Sequence, residues 1–269
     1  MTGRLDGKVA LITGGGRGLG RAFAIGMARE GADIAILDIG SNLPGRRTKL
    51  ADPDEMRATA KSVIEFGCRC LVFQADTRSA VDLGAAVTGT LDAFGKIDVL
   101  VANAGIGAPF QPSWEVEEEE WDRVVDINLK GAWLSAKAVV PHMIARKSGR
   151  VVFNSSQAGL KGYAGISSYC AAKFGVIGLM KSLAIELAPF GINVNAVCPG
   201  SVDTEGNRLV AEEMGVTFEQ MVGEFTSRQL INRVMPPEQI ADAVIYLAGQ
   251  SGDFITGHAL AIDGGATTK

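Results

Sequence analysis

The sequence predicts one doubly wound α/β domain, Rossmann-like in plan, with a parallel sheet of about seven strands flanked by helices. Three observations predict it. Short β-branched runs alternate with longer helical patterns along the 269 residues, and that alternation implies parallel strands joined by right-handed crossovers. The strand runs are nearly continuous in apolar residues, which fits strands covered on both faces. No repeat, low-complexity tract or Pro/Gly linker divides the chain, so residues 1–269 read as a single domain.

The first strand is KVALIT (8–13). It runs into TGGGRGLG, Thr13 to Gly20, which opens a helix over 18–30. Gly14, Gly18 and Gly20 lack Cβ atoms, so the backbone can turn tightly and approach a pyrophosphate. The helix N-terminus then offers free N–H groups and a positive dipole end. The loop is a variant of the dinucleotide fingerprint, with one more residue between its first two glycines. The second strand, DIAILD (33–38), ends on Asp38, close to where an acid accepts both hydroxyls of an adenosine ribose and repels a 2′-phosphate. Arg17 favours a 2′-phosphate, but Asp38 would sit directly at the hydroxyls. The expected cofactor is therefore NAD rather than NADP.

A long excursion, residues 39–51, follows Asp38. Its end is marked by ADPDE: Asp52 can cap, Pro53 suits the first helical position and Glu55 completes a capping box, so a helix is expected over 53–66. An excursion of this length is either functional or a tolerated surface insertion. In the functional version Leu43 and Pro44 pack on adenine while Arg46, Arg47 and Lys49 fold onto the pyrophosphate. A further version has the arginines hold a 2′-phosphate, against Asp38.

The third strand is CLVFQA (70–75), followed by a helix over 79–94 and the strand DVLVAN (98–103). One helix is expected over 115–146, with the acidic EVEEEEWD as a solvated first turn that suits the helix dipole. RVVFNS (150–155), a helix over 167–189 and INVNAV (192–197) come next. Residues 204–235 show no strand signal and read as a mobile helical cap. Within it Phe218, Met221, Phe225 and Leu230 could form a core stripe. A helix over 236–249 and the strand HALAID (258–263) complete the sheet.

Composition excludes several functions. The formal net charge is −4, with no basic stripe or tail, so no nucleic-acid partner is expected. No stretch approaches a membrane span, and the apolar run near the start is too short for a secretory signal. Cys68, Cys70, Cys170 and Cys198 form no CxxC pair, so neither a metal nor a disulfide is expected, and a reducing cytoplasm is. His142 and His258 read as structural.

The chemistry lies in SSQAGLKGYAGISSYCAAK. Tyr169 and Lys173 are four residues apart in a helix and share a face. A phenol with a pKa of about 10 is a poor base at neutral pH, and a nearby ammonium is expected to lower it. Tyr169 could then exchange a proton with an alcohol or carbonyl oxygen, which the Ser156 hydroxyl could hold. Tyr163 has only Ser167 as its partner one turn on.

With these pieces the chain resembles the short-chain dehydrogenases/reductases over essentially its full length. The matching segments are TGGGRGLG, the NAG of Asn103, Ala104 and Gly105, Asn128 in DINLKG, Ser156, YCAAK and PGSVDT. The resemblance implies that Ser156, Tyr169 and Lys173 are catalytic. It implies that Asn128 holds a water chain from Lys173 to solvent, and that Lys173 also binds the nicotinamide ribose. It implies cofactor contacts from Gly14, Arg17, Gly18, Leu19, Asp38, Tyr169, Pro199 and Gly200. Asp76 matches the acid that contacts adenine, with Thr77 in place of the commoner valine. Asn103 matches the asparagine beside the adenosine ribose, with Ala102 where a second asparagine often sits. Val202 and Thr204 match the positions that hold the carboxamide.

The implied reaction is NAD-linked interconversion of a small, largely apolar secondary alcohol and its ketone, with Phe218, Met221, Phe225 and Leu230 lining an apolar pocket over the substrate. The location and length of the 39–51 insertion resemble the carveol-dehydrogenase-like branch, associated with the redox carrier mycofactocin and with retained NAD. A homotetramer built through the helices that carry Asn128 and Tyr169 is also implied. The alternative class is a catalytically idle NAD-binding scaffold or regulator.

Overall fold

A computed structural model describes residues 3–43 and 49–268. Seven parallel strands form one sheet in the order β3-β2-β1-β4-β5-β6-β7. They are β1 (Val9–Thr13), β2 (Asp33–Asp38), β3 (Cys70–Gln74), β4 (Val99–Ala102), β5 (Gly149–Asn154), β6 (Ile192–Pro199) and β7 (Ala259–Ile262). Register pairs Ile12 with Ile36 on one side and with Val101 on the other.

Side chains alternate across a strand, and β1 shows both faces buried. Ala10 and Ile12 pack into a layer built on α1 (Gly18–Arg29), α2 (Pro53–Ile64) and α9 (Pro237–Ala248). Leu11 packs into the opposite layer, built on α3 (Ala80–Phe94), α5 (Gly131–Arg146) and α6 (Ser167–Leu187). Two apolar faces require the near-continuous apolar strands seen in the sequence. The chain leaves β1 toward β2 and β3 on one side and β4 to β7 on the other. A crevice therefore opens where that direction reverses, at the carboxyl ends of β1 and β4.

The helix expected over 115–146 is divided. α4 (Glu118–Val125) passes into a π turn, Asp126–Lys130, before α5. Asn128 gives the physical reason. Its Nδ2 donates to Val124 O and to Ile106 O, both at 2.9 Å, and Gly131 N reaches back five residues to Asp126 O. The cap segment contains α7 (Glu205–Glu213) and α8 (Phe218–Thr226), tied to the end of β6 by a bridge between Val202 and Met235.

The start of α2 is as the sequence reads. Asp52 accepts from Asp54 N and Glu55 N at 2.9 Å, and Glu55 accepts from Asp52 N at 2.8 Å. Within the excursion Leu43 and Lys49 are described, whereas Pro44, Arg46 and Arg47 lie outside the described residues. Among the described residues no helix is long and apolar enough to cross a membrane, and no group of side chains could hold a metal.

Candidate active site

The glycine loop is held from β4. Thr13 Oγ1 accepts from Asn103 N at 2.9 Å and Ala104 N at 3.0 Å. Asn103 Nδ2 donates to Thr13 O at 2.8 Å and Gly14 O at 3.1 Å, and its Oδ1 accepts from Asn154 Nδ2 at 2.9 Å. Asn103 thus latches the ends of β1, β4 and β5. Gly14 and Gly18 have φ of 66° and 54°, the left-handed region where glycine is unstrained. A Cβ on Gly20 would stand 1.9 Å from Gly14 O, so the loop could not close with any side chain there.

Asp38 is fixed by its own neighbours. Its Oδ2 accepts from Gly16 N at 2.9 Å and its Oδ1 from Ile39 N at 2.8 Å. Burial pushes the carboxyl pKa up, against these two hydrogen bonds and the Arg17 charge. Each oxygen keeps acceptor capacity toward the crevice. Arg17 donates through Nη2 to Lys49 O, while its Nη1 is buried without a partner. Lys49 itself does not turn inward; its ammonium pairs with Asp52 at 3.1 Å.

The excursion contributes apolar side chains instead. Leu43 packs with Ile106, Val124 and Ile127, with Ile39, Leu50, Ala108 and Tyr169 against the same cluster. A strand-end loop on the β2 side therefore spans to residues following β4 and to the helix bearing Tyr169.

Tyr169 and Lys173 lie on one face of α6, and Ser156, just beyond β5, lines the same cleft with its hydroxyl near enough to lower the Tyr169 pKa. The structure reverses one expectation. Burial pushes the Tyr169 pKa up, and the Ser156 hydroxyl offsets this only in part. Lys173 is not on the phenol oxygen: its Nζ lies 5.4 Å from the ring centroid and donates to Asn154 O at 2.9 Å. Lys173 is itself buried, which lowers its pKa to about 8. Asn128 Oδ1 is buried without a partner, beside Gly105 and Lys173 Nζ.

Asp76 is gripped by Arg78, which reaches its oxygens at 3.1, 3.0 and 2.6 Å. Burial raises the Asp76 pKa, but these bonds outweigh it and hold the carboxyl below its usual range. Thr77 is buried against Gly131. Beyond β6, Thr204 caps α7 by accepting from Asn207 N at 3.3 Å, and Asn207 Nδ2 donates to Val202 O at 2.7 Å.

The residues that the family resemblance makes catalytic or cofactor-binding line one cleft of about 680 Å³: Gly14, Arg17, Gly18, Leu19, Asp38, Asp76, Thr77, Asn103, Ala104, Gly105, Asn128, Ser156, Tyr169, Lys173, Pro199, Gly200, Val202 and Thr204. Sequence reasoning missed Asn154, Gln157 and Arg78. Asn154 and Gln157 flank the SS of NSSQ, and their polarity at a buried strand end was the available signal. Arg78, two residues past Asp76, was legible as a neighbouring charge but not as its clamp.

A family model described as short chain dehydrogenase matches residues 8–215. The chain belongs to the short-chain dehydrogenase family. Among its relatives in this family, a (-)-trans-carveol dehydrogenase from Rhodococcus erythropolis is 39% identical over 99% of each chain. A 2-(S)-hydroxypropyl-CoM dehydrogenase from Xanthobacter autotrophicus is 36% identical, again over 99% of each. The solved carveol dehydrogenase from Mycobacterium avium, in complex with NAD, superposes with a TM-score of 0.94 at 34% identity, covering 100% of each chain. This member is thus an oxidoreductase related to carveol dehydrogenases, with their fold over its whole length.

Proposed function

We propose that this protein is an NAD-dependent dehydrogenase of small, largely apolar secondary alcohols, terpenoid alcohols such as carveol among them, and a reductase of the matching ketones. The observation that carries the proposal is the gathering of Ser156, Tyr169 and Lys173, the last two on one helix face, in the cleft that contains the glycine loop and Asp38. The cleft fits a dinucleotide. The loop glycines leave the backbone bare, Asp38 is anchored with acceptor capacity to spare, and Arg17 Nη1 lacks a partner. Gly14, Gly18, Leu19, Arg17 and the N-terminus of α1 would hold the pyrophosphate, and Asp38 the adenosine ribose. Asp76, Thr77 and Asn103 to Gly105 would flank the adenosine. Pro199, Gly200, Val202 and Thr204 would face the carboxamide. When bound, the oxidised nicotinamide supplies the hydride acceptor and a positive charge.

In oxidation, Tyr169 Oη accepts the hydroxyl proton as the carbinol hydrogen leaves with its electron pair and the C=O bond forms. Ser156 Oγ holds the reacting oxygen in place throughout. A phenol raised by burial needs a cation to become a useful base. Lys173, with a pKa near neutrality, can pass a proton onward, and the free Asn128 Oδ1 beside it suits an ordered water. Positioning by the cleft supplies much of the rate.

The apolar strap of Ile39, Leu43 and Leu50 supports retention of NAD through turnover, with electrons leaving to an external carrier of the mycofactocin type. Four free cysteines suit the cytoplasm. Exposed Trp133 on α5 and Phe174 on α6 suit a homotetramer through those helices. Protein purified without nucleotide, dialysed and denatured should release near-stoichiometric NAD(H), and should oxidise members of a cyclic secondary alcohol panel. An empty protein would remove the retention reading, and no turnover on the panel would remove the alcohol reading.

A further inference from the structure

Gln157 follows Ser156 and lines the same cleft. Its Oε1 is sealed from solvent with no hydrogen-bond partner, and among the described residues its amide nitrogen donates to none. The turn beneath it is well fixed. Ser156 Oγ accepts from Ala158 N at 3.1 Å, and Gln157 O accepts from Leu160 N and Lys161 N at 3.0 Å. The backbone that carries the amide is therefore held in the cleft wall next to Ser156. Part of the rest of that wall is apolar: the Phe110 and Phe225 rings stack with centroids 6.5 Å apart, and Met221 is buried near them in the cleft lining.

A buried amide oxygen with no partner is costly, and turning the amide so that a ligand group meets the atom it presents to the cleft recovers that cost. A site built to hydrogen-bond a substrate hydroxyl discriminates strongly against the analogue that lacks it. We propose that Gln157 determines specificity by hydrogen-bonding a second oxygen of the substrate, on a carbon adjacent or next-adjacent to the carbinol carbon. The favoured substrates are then cyclic diols and the corresponding hydroxyketones, with an apolar ring against Phe110 and Phe225. A hydroxyl suits either orientation of the amide, since it both donates and accepts. The inference rests on the alcohol dehydrogenase reading above.

The test compares kcat/KM for cyclohexanol and for cis- and trans-cyclohexane-1,2-diol in the native protein and in Gln157→Met, which keeps length and removes hydrogen bonding. The native protein should favour one diol at least about tenfold, the worth of one good hydrogen bond, and Gln157→Met should lose that preference. Equal ratios in the two proteins, or a native preference for cyclohexanol, would overturn the proposal. The melting temperature of Gln157→Met should equal or exceed that of the native protein; a fall of several degrees would mean that the amide is satisfied internally, and would also overturn it. If the native protein oxidises none of the three, the dehydrogenase reading fails instead. Gln157 is then judged by thermal shift of the NAD-loaded protein with the same three ligands: a larger shift from a diol that the variant loses supports the proposal, and equal shifts reject it.

Discussion

Replacing Lys173 by methionine should change how stability depends on pH, by an amount the structure sets. Burial takes the Lys173 pKa from 10.5 to about 8. Each pH unit of that displacement corresponds to about 1.4 kcal/mol, so holding the charged ammonium in the folded state costs about 3 kcal/mol. The sign follows from proton counting. Below pH 8 the amine is charged in both states and the full cost applies. Between pH 8 and 10.5 the folded protein has released the proton while the unfolded chain keeps it, so stability rises with pH. From pH 7 to 9.5 the rise amounts to about 2 kcal/mol. Lys173→Met lacks this term. It also loses the bond to Asn154 O, which displaces its curve without adding that rise. The assay is urea unfolding of cofactor-free protein at half-unit steps from pH 7 to 9.5, with the native-minus-variant difference plotted against pH. Stopping at 9.5 avoids ionisation of the tyrosines. A difference that stays flat within about 0.5 kcal/mol would refute the buried, depressed amine.

Three further outcomes are expected. Asp38→Ser should shift the ratio of NADP to NAD turnover upward by at least about tenfold, because it removes a carboxylate that would repel a 2′-phosphate and leaves Arg17 to hold one; steady-state kinetics with both cofactors checks it, and an unchanged ratio argues against Asp38 at the ribose. Leu43→Ala removes the strap's buried anchor against Ile106 and Ile127 and should speed NAD release at least about tenfold, measured as nucleotide remaining after timed dialysis. Asp52→Ala breaks the capping box of α2 and should cost about 1 kcal/mol in chemical denaturation, whereas a neutral result would mean that Pro53 and Glu55 start the helix unaided.

The fold was legible because local signals agreed. Continuous apolar strands, the glycine loop at a strand-to-helix junction and the Asp52–Pro53–Glu55 start of α2 each pointed to the element found. The break at Asn128 was not legible, because it depends on the carbonyl of Ile106, a residue distant in sequence that arrives only with the tertiary fold. The grouping of Ser156, Tyr169 and Lys173 was legible from spacing, but the direction of the Tyr169 pKa was not. Spacing places Lys173 near the phenol; only burial and the Asn154 carbonyl decide where its ammonium points. The strap was half legible. Its length and its exit from Asp38 stood in the sequence, and Leu43 does make an apolar contact, but Lys49 turns to Asp52 rather than inward.

The central claim is that Tyr169 exchanges the proton in a dinucleotide-dependent oxidation. Tyr169→Phe removes one oxygen from a half-buried ring and leaves Asp38 and the glycine loop untouched. Its NAD affinity, by calorimetry, should lie within a few-fold of the native value, while kcat on the best alcohol of the panel should fall by about 100-fold or more, the usual worth of a positioned acid/base. Near-native turnover with intact NAD binding would contradict the assignment of Tyr169.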